Sequence, residues 1–226
     1  VGGTPMVETF RQNRIGEIRM SPSEWHNMSR EQRQHPLRWR RPFYALPTKL
    51  VQDRATSMLP RLLYRRMDEL GVDFSVLYPT LGLDMLFIKN DEVRQAACRA
   101  LNKMNANVWA EFSARMAPVA AIPTIPPEEG VAELDYAIGE LGLKGIMIFG
   151  NVHRYIRQVE QEAPERARHA MWYDHMAMDS KFDYDPFWAK CVEHKLAPTS
   201  HAGHQGVGSM KSVSSYVYNH IGSFKY

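Results

Sequence analysis

The apolar and polar positions alternate between helical and strand-like patterns from residue 55 onward. Apolar residues at helical spacing end at glycines, as at Gly71 and Gly142, and short apolar runs follow each helix. Four of these runs are predicted strands buried on both faces: VDFSVLYP, PVAAIP, GIMIFG and LAPTSH. Because helices of crossover length separate them, the sequence predicts an α/β protein with a parallel sheet.

The helix starts carry signals of their own. Asn90 is a predicted N-cap for a helix that runs to about Met116, and Asp185 with Pro186 is a predicted start for DPFWAKCVEHK. Between GIMIFG and that helix lies a charged insertion, whose acidic run DHMAMDSKFDYD lacks the glycine and terminal glutamate of a calcium loop. We therefore expect an irregular, solvated insertion. Prolines interrupt residues 1–54, which we predict to be an irregular N-terminal insertion.

Polar residues follow the predicted strands at the edge where parallel sheets of both barrel and doubly wound type gather their working groups. Tyr78 and Thr80 follow the first strand and Asn151 follows the third, while His201 ends the fourth and His204 comes three residues later. Periodicity alone does not choose between the two architectures. No glycine-rich phosphate loop follows any strand, which counts against a nucleotide-binding protein, although that hypothesis stays open.

His201 is the first candidate for a metal ligand. An imidazole at a rigid strand end loses little freedom on coordination, and the following AGHQGVG lets a ligand approach the backbone closely. A histidine that simply caps the strand is the alternative. His204 makes an H-x-x-H pair with His201, but on a loop that spacing has no helical face to align it. His220, in NHIGSF, is either a packed or capping histidine or a residue of the site.

Composition narrows the class of protein further. The net charge of +3, from 28 basic and 25 acidic residues, gives no electrostatic reason to expect nucleic acid or a membrane as partner. Cys98 and Cys191 each fall in an apolar helical pattern, which predicts reduced core thiols and favours a cytoplasmic location. No apolar run approaches the roughly 18 residues that cross a bilayer.

The run ELGLKGIMIFGN, the insertion, YDPFWAKCVEHKLAPTSHAG and NHIGSF together resemble amidohydrolase family 2, in the branch of aminocarboxymuconate-semialdehyde decarboxylase and the resorcylate-type decarboxylases. The resemblance covers about Ala55 to Phe224. It implies a (β/α)8 barrel, of which residues 55–226 supply about strands 2 to 5, and one divalent metal, usually zinc and sometimes manganese. By this resemblance His201 is the fifth-strand metal ligand and His220 the candidate catalytic residue. The implied substrate-binding residues are Tyr78, Thr80, Asn151 and His204.

The resemblance implies a metal-dependent hydrolase or non-oxidative decarboxylase that acts on a small unsaturated or aromatic carboxylic acid. The metal would act as a Lewis acid in either reaction. The sequence departs from the family pattern, because no H-x-H or E-x-H motif precedes Val72 and no strands six to eight follow. We therefore expect a portion of a longer protein, which forms a homodimer and binds a small molecule. A catalytically inactive barrel that serves as a binding or interaction module is the alternative.

Overall fold

The computed structural model describes residues 27, 29, 31, 32, 50–79, 82–86, 88–167, 170–176 and 180–201. The chain divides into two compact units, residues 67–201 and residues 1–66 with 202–226. In the latter unit, the described residues form helices α1 (Val51–Thr56) and α2 (Pro60–Arg66). Arg66 joins the two helices by donating hydrogen bonds to Asp53 Oδ1 at 3.0 Å and Thr56 Oγ1 at 2.7 Å.

The described part of residues 67–201 alternates helices with short strands. Its elements are β1 (Ser75–Leu77), α3 (Gly82–Met85), α4 (Asp91–Trp109) with a 3-10 turn (Ala110–Phe112), β2 (Met116–Ala121), α5 (Pro127–Leu134) continuing as a π-helix (Asp135–Glu140), β3 (Gly145–Phe149), β4 (Val152–Tyr155), α6 (Arg157–Glu162), β5 (Met171–Asp174), α7 (Asp185–Glu193) and β6 (Thr199–His201).

Local sequence signals predict where several of these elements begin or end, with small errors. Asn90 caps α4, because its Oδ1 accepts a hydrogen bond from the Val93 amide at 2.9 Å. Gly71 and Gly142 adopt positive φ angles of 67° and 70°, which glycine adopts without the steric cost of a Cβ. The predicted cap at Asp185 is wrong by one residue, since α7 already includes Asp185 and Tyr184 holds the N-cap position.

The main sheet confirms the predicted α/β class and the partial barrel. Its strand order is β1-β2-β3-β6, and all three pairings are parallel. Neighbours in the sheet are therefore successive strands of the βα repeat, as in a (β/α)8 barrel, whereas a doubly wound sheet reverses its order at a switch point. The chain thus forms a curled part of a barrel.

The sheet is apolar on both faces. Ala120, Ile122, Ile146 and Ile148 pack on one face with apolar residues of α5, the π-helix and α7, and the alternate residues Val119, Ala121, Met147 and Phe149 form the core of the other. Val76 of β1 pairs with Ala117 and so shares the second face. Phe74, Val76 and Tyr78 are 52%, 51% and 45% exposed, so the prediction that VDFSVLYP is buried on both faces is wrong. One apolar face of β1 is uncovered, as expected of an open part of a barrel.

The insertion differs from its sequence-based prediction. Instead of an irregular loop, it contains the antiparallel hairpin β4–β5 and helix α6. Asp174, which we expected in a solvated acidic run, is 1% exposed. Its carboxylate is buried because Arg154 of the paired strand supplies an opposite charge 3.0 Å away.

Both cysteines are buried and unbridged, as predicted. Burial raises the pKa of the Cys191 thiol to about 11, and burial is also the main cause that raises the pKa of Cys98. Among the helices that the structure describes, none combines the length and apolar character needed to cross a membrane.

Candidate functional site

His201 lies at the carboxyl end of β6, directly opposite Phe149 of β3. The two ring centroids are 6.5 Å apart and the rings meet edge to face at 84°. Two residues earlier, Thr199 Oγ1 donates a 2.6 Å hydrogen bond to the Ile146 carbonyl and ties β6 to β3. The strand that carries the imidazole is therefore held in place by its backbone pairing with β3 and by the side chain of Thr199.

The strand registers show which predicted site residues share a face. His201 pairs with Phe149, so the two side chains lie on the same face of the sheet. Met147, two residues before Phe149, lies on that face as well, and it pairs with Ala121 of β2. Tyr78 follows β1 on the same face by the alternation described above. It lies at the opposite edge of the four-stranded sheet, three strand spacings or about 14 Å away along the sheet. The residues share a surface but are not in contact.

Asn151 follows β3 by two residues and is 2% exposed. Its side-chain Oδ1 is buried and has no hydrogen-bond partner. At Gly150, a Cβ would lie 2.6 Å from Ser200 Oγ, so the end of β3 approaches the residue that precedes His201 closely. A buried carbonyl oxygen without a donor is costly in a folded protein, and this makes Asn151 a candidate for contact with a bound molecule.

The remaining predicted residues are distributed unevenly. Thr80, His204 and His220 lie outside the described residues. Of the predicted residues that the structure describes, His201 lies opposite Phe149, and Asn151 follows Phe149 by two residues at the carboxyl edge of the sheet.

Within the described residues, no group of three or more histidine, cysteine, aspartate or glutamate side chains is placed to hold a divalent metal ion. His201 supplies one suitable donor at the expected strand end, whereas zinc sites use three or four protein ligands. The described part of the chain therefore does not form a metal site by itself.

Asn102 supports the edge of the sheet in a way the sequence did not reveal. Its Oδ1 accepts a hydrogen bond from the Ala121 amide at 2.8 Å, and its Nδ2 donates to the Ala121 carbonyl at 3.0 Å and to Glu133 at 2.8 Å. The paired residues of β1 and β2 end at Leu77 and Pro118, so the amide of Asn102 replaces a neighbouring strand at Ala121. Burial raises the pKa of Glu133.

Three further residues were missed at the same edge: Arg154, Asp174 and Tyr184 form a buried polar cluster under the hairpin. Little in the sequence indicated this cluster, because VHRY and MWYD, which form β4 and β5, show no strict alternation of apolar and polar residues. Their pairing across the intervening charged residues could not be inferred from the sequence.

A parallel sheet whose neighbouring strands follow one another in sequence is typical of the β/α-barrel class of fold. The family model described as Amidohydrolase matches residues 34–222. The chain belongs to this amidohydrolase family, which confirms the resemblance seen in the sequence. No protein of the curated set matches the chain significantly.

Solved structures share the fold at low sequence identity. The 2,6-dihydroxybenzoate decarboxylase from Rhizobium is 15% identical with a TM-score of 0.50, and the match covers 91% of this chain and 52% of that chain. A complex of 2,6-dihydroxybenzoate decarboxylase with 2,6-dihydroxybenzoate gives 16% identity, a TM-score of 0.50 and the same coverage. Dihydroxybenzoic acid decarboxylase from Polaromonas sp. JS666, with bound manganese and 2-nitroresorcinol, gives 19% identity and 0.49, covering 79% of this chain and 44% of that chain. The chain thus spans about half the length of the solved structures it matches.

Proposed function

We propose that this chain is part of a metal-dependent enzyme that decarboxylates or hydrolyses a small unsaturated or aromatic carboxylic acid. The proposal is supported by His201 at the end of β6, opposite Phe149, and by Asn151, which follows Phe149 by two residues and has a buried Oδ1 without a hydrogen-bond partner. Family membership supports the same reading. The fold match to aromatic-acid decarboxylases gives decarboxylation as the first reaction to test, because those proteins have the same scaffold.

Each residue receives a distinct proposed role. His201 would be one ligand of a single divalent ion, zinc or manganese, and its neighbour Phe149 restricts the orientation of the imidazole ring. Asn151 Oδ1 would accept a hydrogen bond from a hydroxyl group of the bound acid, since a carbonyl oxygen can pair only with a donor and an ionised carboxylate offers none. Tyr78, on the same face, would offer an aromatic surface to a flat molecule.

Thr80 and His204 complete the proposed substrate-binding set, and His220 is the proposed catalytic residue, with a proton-transfer role. Hydrolysis and decarboxylation would differ in whether a carbonyl is attacked or the substrate carbon is protonated before carbon dioxide leaves. We also propose that the protein is a homodimer and cytoplasmic. The buried, unbridged thiols support the latter, and sedimentation of the purified protein tests the former.

The first experiment is elemental analysis of the full-length protein with His201→Ala beside it. His175→Ala is the matched control, because it removes an exposed histidine of the same chain. We expect about one zinc or manganese ion per chain in wild type and control, and loss of the ion from His201→Ala, because a mononuclear site depends on each ligand.

Activity then separates the two reactions. The metal-loaded protein is incubated with 2,6-dihydroxybenzoate and with related aromatic and enol acids, while carbon dioxide release and ester or amide hydrolysis are followed. Metal-free full-length wild type, or metal retained in His201→Ala, would contradict the proposal. The metal-free result would favour the alternative of an inactive barrel that serves as a binding module.

A further inference from the structure

The insertion between β3 and α7 contacts two loops at the carboxyl edge of the sheet. We call its described residues, 152–167, 170–176 and 180–184, the strap. The strap begins directly after Asn151, contacts the loop after β2 through Arg154, and reaches the segment before α4 through Tyr155. It therefore joins the loops that follow three neighbouring strands.

The inner attachment of the strap is buried and charged. The Arg154 Nε donates to Asp174 Oδ2 at 3.0 Å, and its guanidinium also donates to the Ile125 carbonyl and to the Tyr184 hydroxyl at 2.7 Å. The Tyr184 hydroxyl in turn donates to the Thr124 carbonyl at 2.7 Å. The side chains of Arg154 and Asp174 are 11% and 0% exposed. A guanidinium whose N–H groups donate to three fixed acceptors has little freedom to move.

The carboxylate of Asp174 is also fully engaged. Its Oδ1 accepts a hydrogen bond from the Met176 amide at 3.0 Å, and its Oδ2 accepts one from Ser180 Oγ at 3.0 Å. The planar group of Arg154 also stacks on Phe182, with its Cζ 3.8 Å from the ring centroid. The cluster therefore fixes both strands of the hairpin and the segment before α7 to the β2 loop.

The outer attachment is solvent-exposed. Lys89 Nζ lies 3.7 Å from the centroid of the Tyr155 ring and 3.5 Å from Glu160 of α6. The side chains of Lys89 and Glu160 are 56% and 39% exposed, and such a pair contributes little in water. The inner attachment of the strap is thus strong and its outer attachment weak.

Asn151 lies next to the inner attachment of the strap, three residues before Arg154. An amide that forms no hydrogen bond through its own Oδ1 must be kept in place by its neighbours. We propose that Arg154 is a positioning residue: by fastening the strap to the β2 loop, it holds Asn151 ready to accept a hydrogen bond from the bound acid. This role rests on the function proposed above, and Arg154 acts through Asn151 without touching the acid.

Hydrogen exchange of the full-length protein tests the positioning without a substrate. Arg154→Met removes the charge at similar length, and Tyr184→Phe is the milder variant, which removes only the hydroxyl that links Arg154 to Thr124. Lys89→Met is the control at the outer attachment. We expect the first two variants to accelerate exchange of the amides of residues 151–154 by about tenfold or more, while Lys89→Met accelerates only residues 155–162. Equal effects of all three variants, or none at residues 151–154, would overturn the proposal.

Turnover of 2,6-dihydroxybenzoate, or of whichever acid proves to be a substrate, tests the link to Asn151. We expect Asn151→Ala and Arg154→Met each to raise KM by about tenfold with a smaller change in kcat, and the double variant to match Asn151→Ala within about twofold. Additive effects would refute action through Asn151, because a purely structural role is independent of that amide. If wild type turns over no acid, the proposed function fails, while the exchange result still decides whether Arg154 fixes Asn151.

Discussion

The buried ion pair between Arg94 of α4 and Glu129 of α5 allows a quantitative test of the fold. The side chains are 0% and 2% exposed, and Arg94 donates to both carboxylate oxygens of Glu129 and to the Ile88 carbonyl. Glu129→Gln keeps the shape of the side chain but leaves the guanidinium charge buried without its main partner. Breaking such a pair costs about 3–5 kcal/mol.

The lower end of that range applies here, because Arg94 retains a second contact with Asp91, whose side chain is 66% exposed. We expect the free energy of unfolding to fall by about 3 kcal/mol. For a chain of about 150–250 residues, that corresponds to a decrease in Tm of about 6–12 °C, and the decrease is smaller in a longer protein. Urea denaturation of the full-length protein, followed by far-UV circular dichroism, measures the free energy, and a thermal scan measures the Tm.

Two further variants show whether burial is the cause. Asp91→Asn removes the exposed partner of the same arginine, and should cost less than about 1 kcal/mol. The double variant Arg94→Met with Glu129→Leu removes both charges and should recover much of the loss, because no unpaired charge remains. Equal costs for Glu129→Gln and Asp91→Asn, or a loss below about 1 kcal/mol for Glu129→Gln, would refute the reasoning.

Two other predictions follow from the shifted pKa values. Burial raises the pKa of Glu133 above its ordinary value of 4.5, despite hydrogen bonds from Asn102 and Arg99, so the folded state binds this proton more readily than the unfolded state does. Its contribution to stability is therefore lost as pH rises above 4.5, and Glu133→Gln should gain stability relative to wild type between about pH 4 and pH 7, as measured by urea denaturation; a constant difference would contradict this. Burial also keeps Cys98 and Cys191 protonated, so a thiol reagent at about pH 8 should react with neither until the protein unfolds, and rapid reaction of one thiol in the native state would show that it is accessible.

The sequence was informative wherever a short segment decides its own structure. The cap at Asn90 and the positive φ angles at Gly71 and Gly142 depend on neighbours within a few residues, and all three were predicted. The βα repeat was equally readable, because helical and strand periodicities differ over one turn or two. Errors appeared at boundaries: the helical pattern that begins at residue 55 and ends at Gly71 is interrupted before Pro60, and the side chains of Met58 and Leu59 are more than half exposed.

Some features of the candidate site could be predicted from the sequence, and others only from the tertiary structure. The position of His201 at a strand end followed from the pattern of apolar residues, and the resemblance suggested its role. That His201 and Tyr78 share a face required the registers of three strand pairs, because a shift of one residue would reverse every side chain. The burial of Asn151 and the missing partner of its Oδ1 likewise became visible only in the folded chain.

The sequence by itself determined the parallel α/β class, the cap at Asn90 and the strand that carries the candidate ligand. Only the tertiary structure decided which polar residues are buried. Arg94, Asn102 and Arg154 all look solvated in their local patterns, but their partners lie 35, 19 and 20 residues away. A charge or amide can enter the interior only where another segment supplies its hydrogen bonds, and that pairing is a property of the folded chain.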